Sequence, residues 1–360
     1  MASVKAECFK LCILRLSAIG DVCHAVAMLS AILEQKTKQK QDIAITWVIG
    51  KVEHQLVKHL SHDIPNLRFV VYDKSAGKAA KKAVKDALAD TEFDALFVMQ
   101  VALRANLLSR VIKAKKRIGF DKARSKEGHS LFIDTRIKPR QHAHVLEGFM
   151  GFAETIGVDI DSILNDKPFW HMPLLQDDLN WLKEELAQAN IEKYVVISPA
   201  ASKAERNWSP EGYAKVVEYI QQKGLRVVLC GGPGPLDLEI SQAIVKLTKQ
   251  VDLNLVGKTT LTQMLAVLNK AQVVIAPDTG PAHMATTQGT PVVGLYAHSN
   301  PRRTGPYLSI EQTVSVYDQL VIEQFGKPWQ ALPWGKRVKG DALMQKISTQ
   351  AVIDKLNQVI

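Results

Sequence analysis

The sequence predicts an α/β protein made of two successive doubly wound halves, each a parallel sheet with crossover helices. Two observations carry this. Short apolar runs alternate with segments of helical spacing from residue 12 to about 120, and again from 194 to about 296. That is the pattern of βαβ units joined by right-handed crossovers. The length, 360 residues, is too great for one ordinary core and suits two domains of about 150–180 residues each.

In the first half, CILRL (12–16) reads as a strand, SAIGD as the turn after it, and a helix follows from about 21 to 34. IAITWVIG (43–50) and LRFVVY (67–72) are further strands, and AGKAAKKAVKDALAD (76–90) has helical spacing with a basic face. ALFVMQ (95–100) is a fourth strand, LRANLLSRVIKA (103–114) a helix and KRIGF (116–120) a fifth strand. In the second half YVVISPA (194–200) is a strand. PEGYAKVVEYIQQKG (210–224) is a helix with Pro210 in its first turn and Gly224 just past its end, the usual asymmetry of helix termini. LRVVLCGG (225–232) is a strand, a helix runs from about 236 to 249, and LNLVG (253–257) leads into the helix TLTQMLAVLNKA (260–271). QVVIAPDTG (272–280) is a strand ending in a turn, AHMATTQG (282–289) a short helix and PVVGLY (291–296) the next strand. Pro168, Pro173 and QDD interrupt the pattern, so the expected domains are 1–175 and 176–340. The C-terminal DALMQKISTQAVIDKLNQVI (341–360) is expected to form a helix that packs back on the first domain.

Composition excludes several classes. With 46% hydrophobic and 23% charged residues the chain is neither disordered nor low-complexity. No run approaches the roughly 18 apolar residues of a membrane span. Lys5, Glu7 and Lys10 precede a short apolar run, which reads as the first strand of a cytoplasmic protein rather than a signal peptide. Cys8, Cys12, Cys23 and Cys230 form no CxxC pair and read as reduced core residues. Residues 1–175 carry 27 Lys+Arg against 19 Asp+Glu, a net of +8; residues 176–360 carry 19 against 17, a net of +2, and the two sum to +10. The first half is therefore expected to meet something anionic: nucleic acid, an acidic membrane surface or a phosphorylated glycan.

Ligands of open parallel sheets bind beyond the carboxyl ends of the strands, where four turns carry chemistry. In RLSAIGDVCHA (15–25) a lone glycine replaces the dinucleotide fingerprint. Asp21 sits in the first helical turn there, as a capping residue or a general base. His24 either packs or shares its face. SPAASKAERNWSP (198–210) offers Ser202, Lys203 and Arg206, two cations and a hydroxyl suited to phosphate or simply solvated. CGGPGPLDLE (230–239) is a tight turn ending in Glu239, a ribose ligand or a surface helical residue. APDTGPAHMA (276–285) is the most specific. It places Asp278, Thr279 and Gly280 at a strand end and His283 in the following helix, where backbone N–H groups face an anion. A basic stretch, 104–126, includes Arg104, Lys122 and Arg124; with only Phe120 interleaved it does not read as a single-strand nucleic-acid platform.

ILRLSAIGDVCHA, ERNWSP, LCGGPGPLD and PDTGPAHMATTQGTPVVGLYAHSNPRRTGPY together resemble glycosyltransferase family 9, the ADP-heptose:lipopolysaccharide heptosyltransferases. The likeness runs in order over residues 12 to 307. MQVALRANLLSR and GFDKARSKEGH look most like the heptosyltransferase I type, which adds the first heptose to a Kdo sugar. The resemblance implies a GT-B fold of two Rossmann-like domains facing a central cleft, acceptor site in the first and nucleotide-sugar site in the second. It implies inverting transfer with no metal and no other cofactor, Asp21 acting as base. The donor diphosphate would meet Asp278, Thr279, Gly280 and His283. The family's lysine before the aromatic-proline segment is replaced by Arg206, with Lys203 a competitor for its role. One of two family hydroxyl residues is Ala201 here and Ser202 is retained; Glu239 corresponds to the ribose ligand, and Thr259 would lie near the adenosine. Ser17, Gly20, His24, Arg104, Lys122 and Arg124 are the expected acceptor contacts. The implied partners are ADP-heptose, Kdo-lipid A and the anionic inner face of the inner membrane, with no nucleic acid. A sugar-nucleotide epimerase or hydrolase on the same scaffold, and a non-catalytic polyanion-binding protein, are the alternatives. An NAD-linked oxidoreductase is disfavoured by the missing fingerprint.

Overall fold

The computed structural model describes residues 8–248 and 251–360. Lys5, Glu7 and the last residue of the 236–249 helix lie outside the described residues. The chain divides into two compact units, Met1–Pro173 and Leu174–Ile360.

The first unit is a six-stranded sheet of β1 (Phe9–Leu14), β2 (Ile43–Gly50), β3 (Leu67–Tyr72), β4 (Ala95–Val98), β5 (Arg117–Gly119) and β6 (Thr135–Arg136). Its order is β3-β2-β1-β4-β5-β6, and every pairing is parallel, with Cys12 opposite Thr46 and Leu14 opposite Val98. Leu11 to Leu14 and Leu96 to Val98 are fully buried, because helices cover both faces of a parallel sheet and leave no alternating pattern to read. Several elements are absent from the sequence expectation, two of which bear on the packing of this unit. Strand β6 is a two-residue edge with no apolar run. The Val145–Glu154 helix packs along the Ile19–Lys38 helix, but Gly148 and Gly151 dilute its helical signal. Space explains the first glycine, whose missing Cβ would stand 2.7 Å from Arg124 Nη1. The expected 103–114 helix stops at Ser109; Ala114 instead pairs with Phe93 beside the sheet.

The second unit repeats the plan with β7 (Tyr194–Ile197), β8 (Arg226–Leu229), β9 (Leu253–Asn254), β10 (Val273–Pro277), β11 (Val292–Tyr296) and β12 (Val314–Ser315). The order β12-β11-β10-β7-β8-β9, again parallel, matches that of the first sheet when counted from its own first strand. Pro210 opens the Pro210–Gln222 helix behind a Ser209 cap, and Gly224 takes φ +78° past its end. All four cysteines are free, three of them buried. Among the described residues no helix is long and apolar enough to cross a membrane.

The C-terminal helix requires a correction. It was expected to pack back on the first domain, yet Thr349–Leu356 lies against the Pro210–Gln222 helix and strands β11 and β12. Val352 and Leu356 are fully buried in the second core, so its apolar face is spent there. Trp208 ties the same segment down, donating from Nε1 to the Ile347 carbonyl at 3.0 Å and meeting Tyr213 edge-on at 5.0 Å. Replacing Trp208 with Ala should destabilise the second unit by about 3–5 kcal/mol, read as an earlier urea transition by tryptophan-independent circular dichroism.

Candidate active site

In the first unit the chain leaves β1 through Arg15 and Leu16 and enters the Ile19–Lys38 helix at its third residue, Asp21. The carboxylate does two things at once. Oδ2 accepts from the Ala18 N–H at 3.4 Å, closing the helix start, and it pairs with the Arg15 guanidinium. Both contacts engage Oδ2, and Oδ1 has no partner among the described residues. Arg15 is buried against the ring of Phe149, 5.1 Å from its centroid, and also donates to the Met99 carbonyl. Burial lowers its pKa from the usual value, with the Asp21 charge and hydrogen bond working against that fall. Gln100 braces the turn, accepting from the Leu16 N–H at 2.9 Å and donating to Ser17 Oγ at 3.4 Å. Sequence reasoning passed over Arg15, although it is the only charge in residues 11–20 and stands at the end of an apolar strand.

The expected acceptor residues divide. Ser17 and Gly20 line the half-buried turn beside Asp21. Arg104, in the helix after β4, is exposed, its guanidinium 5.8 Å from the Tyr72 ring centroid. Lys122 is exposed beyond β5, while Arg124 is held by Asp121 at 3.2 Å and by the Arg140 carbonyl at 3.3 Å. His24 is a correction: it is 3% exposed, with ring centroids of His144 at 5.4 Å and Phe149 at 6.2 Å. It packs the core beneath the turn instead of meeting an acceptor, because its helix turns that face inward. The β5 loop is fixed from below by His129, whose Nε2 accepts from the Phe120 N–H at 3.1 Å while Nδ1 meets Asn106 Oδ1 at 2.7 Å. Burial, with a smaller contribution from Arg136, pushes the His129 pKa down to about 4.

In the second unit Asp278 follows β10 and organises its neighbours. It is 9% exposed. Its Oδ2 accepts from Ser299 Oγ at 2.9 Å and lies 3.7 Å from Arg206 Nη1, which also donates to the Asp278 carbonyl at 3.2 Å. Its Oδ1 faces His283 Nε2 at 3.9 Å. Burial pushes the carboxyl up, but His283, Arg206 and Ser299 together outweigh it and hold the pKa below the ordinary range. Thr279 is the N-cap of the Gly280–Thr287 helix and makes no side-chain cap bond, so that helix start is open to an anion. Arg206 reaches this block because β7 and β10 are neighbours. Asn207 clamps the loop, accepting from the Ala201 N–H at 2.6 Å. Ser202 and Lys203 are exposed, Lys203 lying 3.9 Å from Glu205; of the two cations, Arg206 is the one engaged with the Asp278 block.

The remaining expected ligands lie on the same edge of the second sheet. Glu239 is exposed on the Pro235–Thr248 helix. Asp237, two residues earlier and unnoticed in the sequence, turns inward, accepting from the Gly232 N–H at 3.0 Å. Burial raises its pKa. Thr259, half-buried, follows β9 beside Cys230. Among the described residues no group of three or more His, Cys, Asp or Glu side chains is arranged to hold a metal ion.

Two doubly wound parallel sheets, each with a carboxylate–arginine pair beyond its strand ends, make a GT-B-like α/β fold, and comparison with known proteins gives the family. Residues 82–328 match the model of glycosyltransferase family 9 (heptosyltransferase), and the chain belongs to that family. It is 42% identical over 97% of its length, and 96% of the relative's, to the lipopolysaccharide core heptosyltransferase OpsX of Haemophilus influenzae. A family 9 glycosyl transferase from Veillonella parvula superposes with TM-score 0.77 at 21% identity, covering 98% of this chain and 97% of the other. The E. coli ADP-heptose LPS heptosyltransferase II superposes with TM-score 0.70 at 17% identity over 98% of each chain. These two likenesses are of fold.

Two predictions follow from the first unit. Arg15→Met should lower kcat by about 10²-fold, with Arg15→Lys recovering part of the loss; steady-state kinetics on both variants reads this. His129 binds its proton less readily folded than unfolded, so the unfolded chain holds more protons between about pH 6.5 and pH 4. The stability it contributes is present above that window and lost as pH falls through it. The thermal midpoint of the parent should therefore drop more steeply over that range than that of His129→Asn.

Proposed function

We propose that this glycosyltransferase moves a heptose from ADP-heptose to the Kdo region of the lipopolysaccharide inner core, with inversion at the anomeric carbon and with no metal or other cofactor. The observation that carries the reading is Asp21, a carboxylate at the carboxyl edge of the first sheet with Oδ2 fixed and Oδ1 free. The names of the Haemophilus and E. coli relatives support the lipopolysaccharide acceptor and the ADP-heptose donor.

In this mechanism Asp21 Oδ1 takes the proton of the acceptor hydroxyl as that oxygen bonds to the anomeric carbon from the face opposite ADP. The bond from that carbon to the diphosphate breaks, and the electron pair leaves with ADP. Arg206, Thr279 and the N–H groups at the start of the Gly280–Thr287 helix receive the growing charge. Asp278 keeps Arg206 and His283 in place, and Ser202 and Lys203 reach the phosphates from the exposed loop. Thr259 and Glu239 serve the adenosine and ribose.

The acceptor side is suited to an anionic, lipid-linked glycan. A cavity of about 400 Å³ is lined by Tyr72, Lys78, Lys81, Leu103 and Arg104, aliphatic surface beside cations. Leu103 and Leu107 in that lining are 49% and 45% exposed. Such a surface fits peripheral attachment to the anionic inner face of the inner membrane from the cytoplasm.

The test is ADP release from ADP-heptose, with and without Kdo-lipid A, for the parent and Asp21→Ala. Acceptor-dependent release that falls by about 10²–10⁴-fold in the variant, with ADP binding intact, supports the reading. Release that needs no acceptor would turn the assignment to a hydrolase or epimerase.

A further inference from the structure

One cationic segment takes no part in this mechanism. Residues 336–339 lie beyond the family match, which ends at 328, yet they are pinned across the second sheet's carboxyl edge. Tyr317 Oη donates to the Lys336 carbonyl at 2.7 Å. The Val338 N–H donates to the His298 carbonyl at 3.1 Å, and the Val338 side chain is fully buried in the second core. Gln324 Oε1 accepts from the Lys339 N–H at 2.9 Å. Between these anchors Arg337 is exposed and, among the described residues, has no hydrogen-bond or ion-pair partner.

What Arg337 stands beside gives it meaning. His298 is the second residue after β11, and the next residue, Ser299, is the one that donates to Asp278. The strap is therefore stitched to the loop that braces the donor block. His298 is 7% exposed, and neither of its ring nitrogens has a partner among the described residues. Burial lowers its pKa; a backbone contact with Val338 and the charge of Glu205 oppose that fall, while the charges of Arg337 and Arg206 add to it. The carboxylates facing this place are already engaged: Asp278 by Arg206, His283 and Ser299, and Glu205 by Lys203. A guanidinium without a partner among the described residues, on a strap bonded to the loop that braces Asp278 and Arg206, is an arrangement that an anion completes.

We infer that Arg337 is a second arginine for the diphosphate of the nucleotide donor, presented by a strap that follows the segment matched by the family model. This rests on the donor reading above, and it assigns the strap a ligand class, a nucleoside diphosphate, rather than a purely structural role. Because Lys336, Val338 and Lys339 fix the backbone, the guanidinium is held near its ligand with little of the ordering cost that a free loop would incur.

The experiment is calorimetric titration of ADP and of adenosine into the full chain, for the parent, Arg337→Ala, Arg337→Lys and Arg206→Ala. Arg337→Ala is expected to weaken ADP by roughly 10–100-fold, as for loss of a charged hydrogen bond, with the lysine variant intermediate, adenosine unchanged and the melting temperature unaltered. ADP affinity within twofold of the parent in Arg337→Ala, while Arg206→Ala is weakened, would overturn the inference and leave the donor reading standing. An equal loss of ADP and adenosine would also overturn it, since that is the mark of a structural role. Absence of ADP binding in the parent would overturn both.

Discussion

Parallel strands buried on both faces cannot carry charge along their length, and this constraint decides where everything reactive in the molecule stands. The charges that do fall within strands, such as Lys10, Arg68 and Arg226, are exposed, and the residues with reactive partners stand on the loops beyond the strand ends. In each, the strand order reverses at one point, between β1 and β4 in the first unit and between β7 and β10 in the second. Connections leave such a point toward opposite faces and open a crevice there. Asp21 follows β1, Arg206 follows β7 and Asp278 follows β10, so the residues assigned to chemistry occupy the two places the topology keeps open.

Both places hold a carboxylate against an arginine, but with the burial inverted. In the first, the Arg15 side chain is 10% exposed and that of Asp21 is 32% exposed; in the second, Asp278 is at 12% and Arg206 at 19%. The buried partner serves as the fixed counter-charge and the more open one faces outward. The first edge thus offers a base and the second offers a cation, from the same pair of residue types. A proton acceptor is what an attacking hydroxyl needs, and a cation is what a departing diphosphate needs. Neither site depends on a rare residue; each depends on which partner the fold hides.

Much of this was legible in the sequence for a physical reason. The central strands are short apolar runs bounded by turn residues, and the DTGPAH block joins a strand end to a helix start in six residues. What escaped reading was whatever depends on distance along the chain. Strands β6 and β12 are two-residue edges without an apolar signature, and the Val145–Glu154 helix hides its periodicity behind two glycines. Arg15 and Asp237 look like ordinary charges until the turn brings them onto a partner. His24 was overvalued because nearness to Asp21 in sequence says nothing of which way a helix faces. The C-terminal helix was misplaced because an amphipathic segment announces that it will pack, not on what.

The placement of that last helix bears on how the protein comes to be made. The first unit has its whole core within the first 173 residues and can close while the rest of the chain is still being synthesised. The second cannot, since Val352 and Leu356 fill the same core as Trp208 and Tyr213. At about 5–20 residues per second, its earliest strands wait roughly ten seconds or more for their final covering. During that interval the exposed edge of an unfinished parallel sheet is the part of this molecule most open to a chaperone.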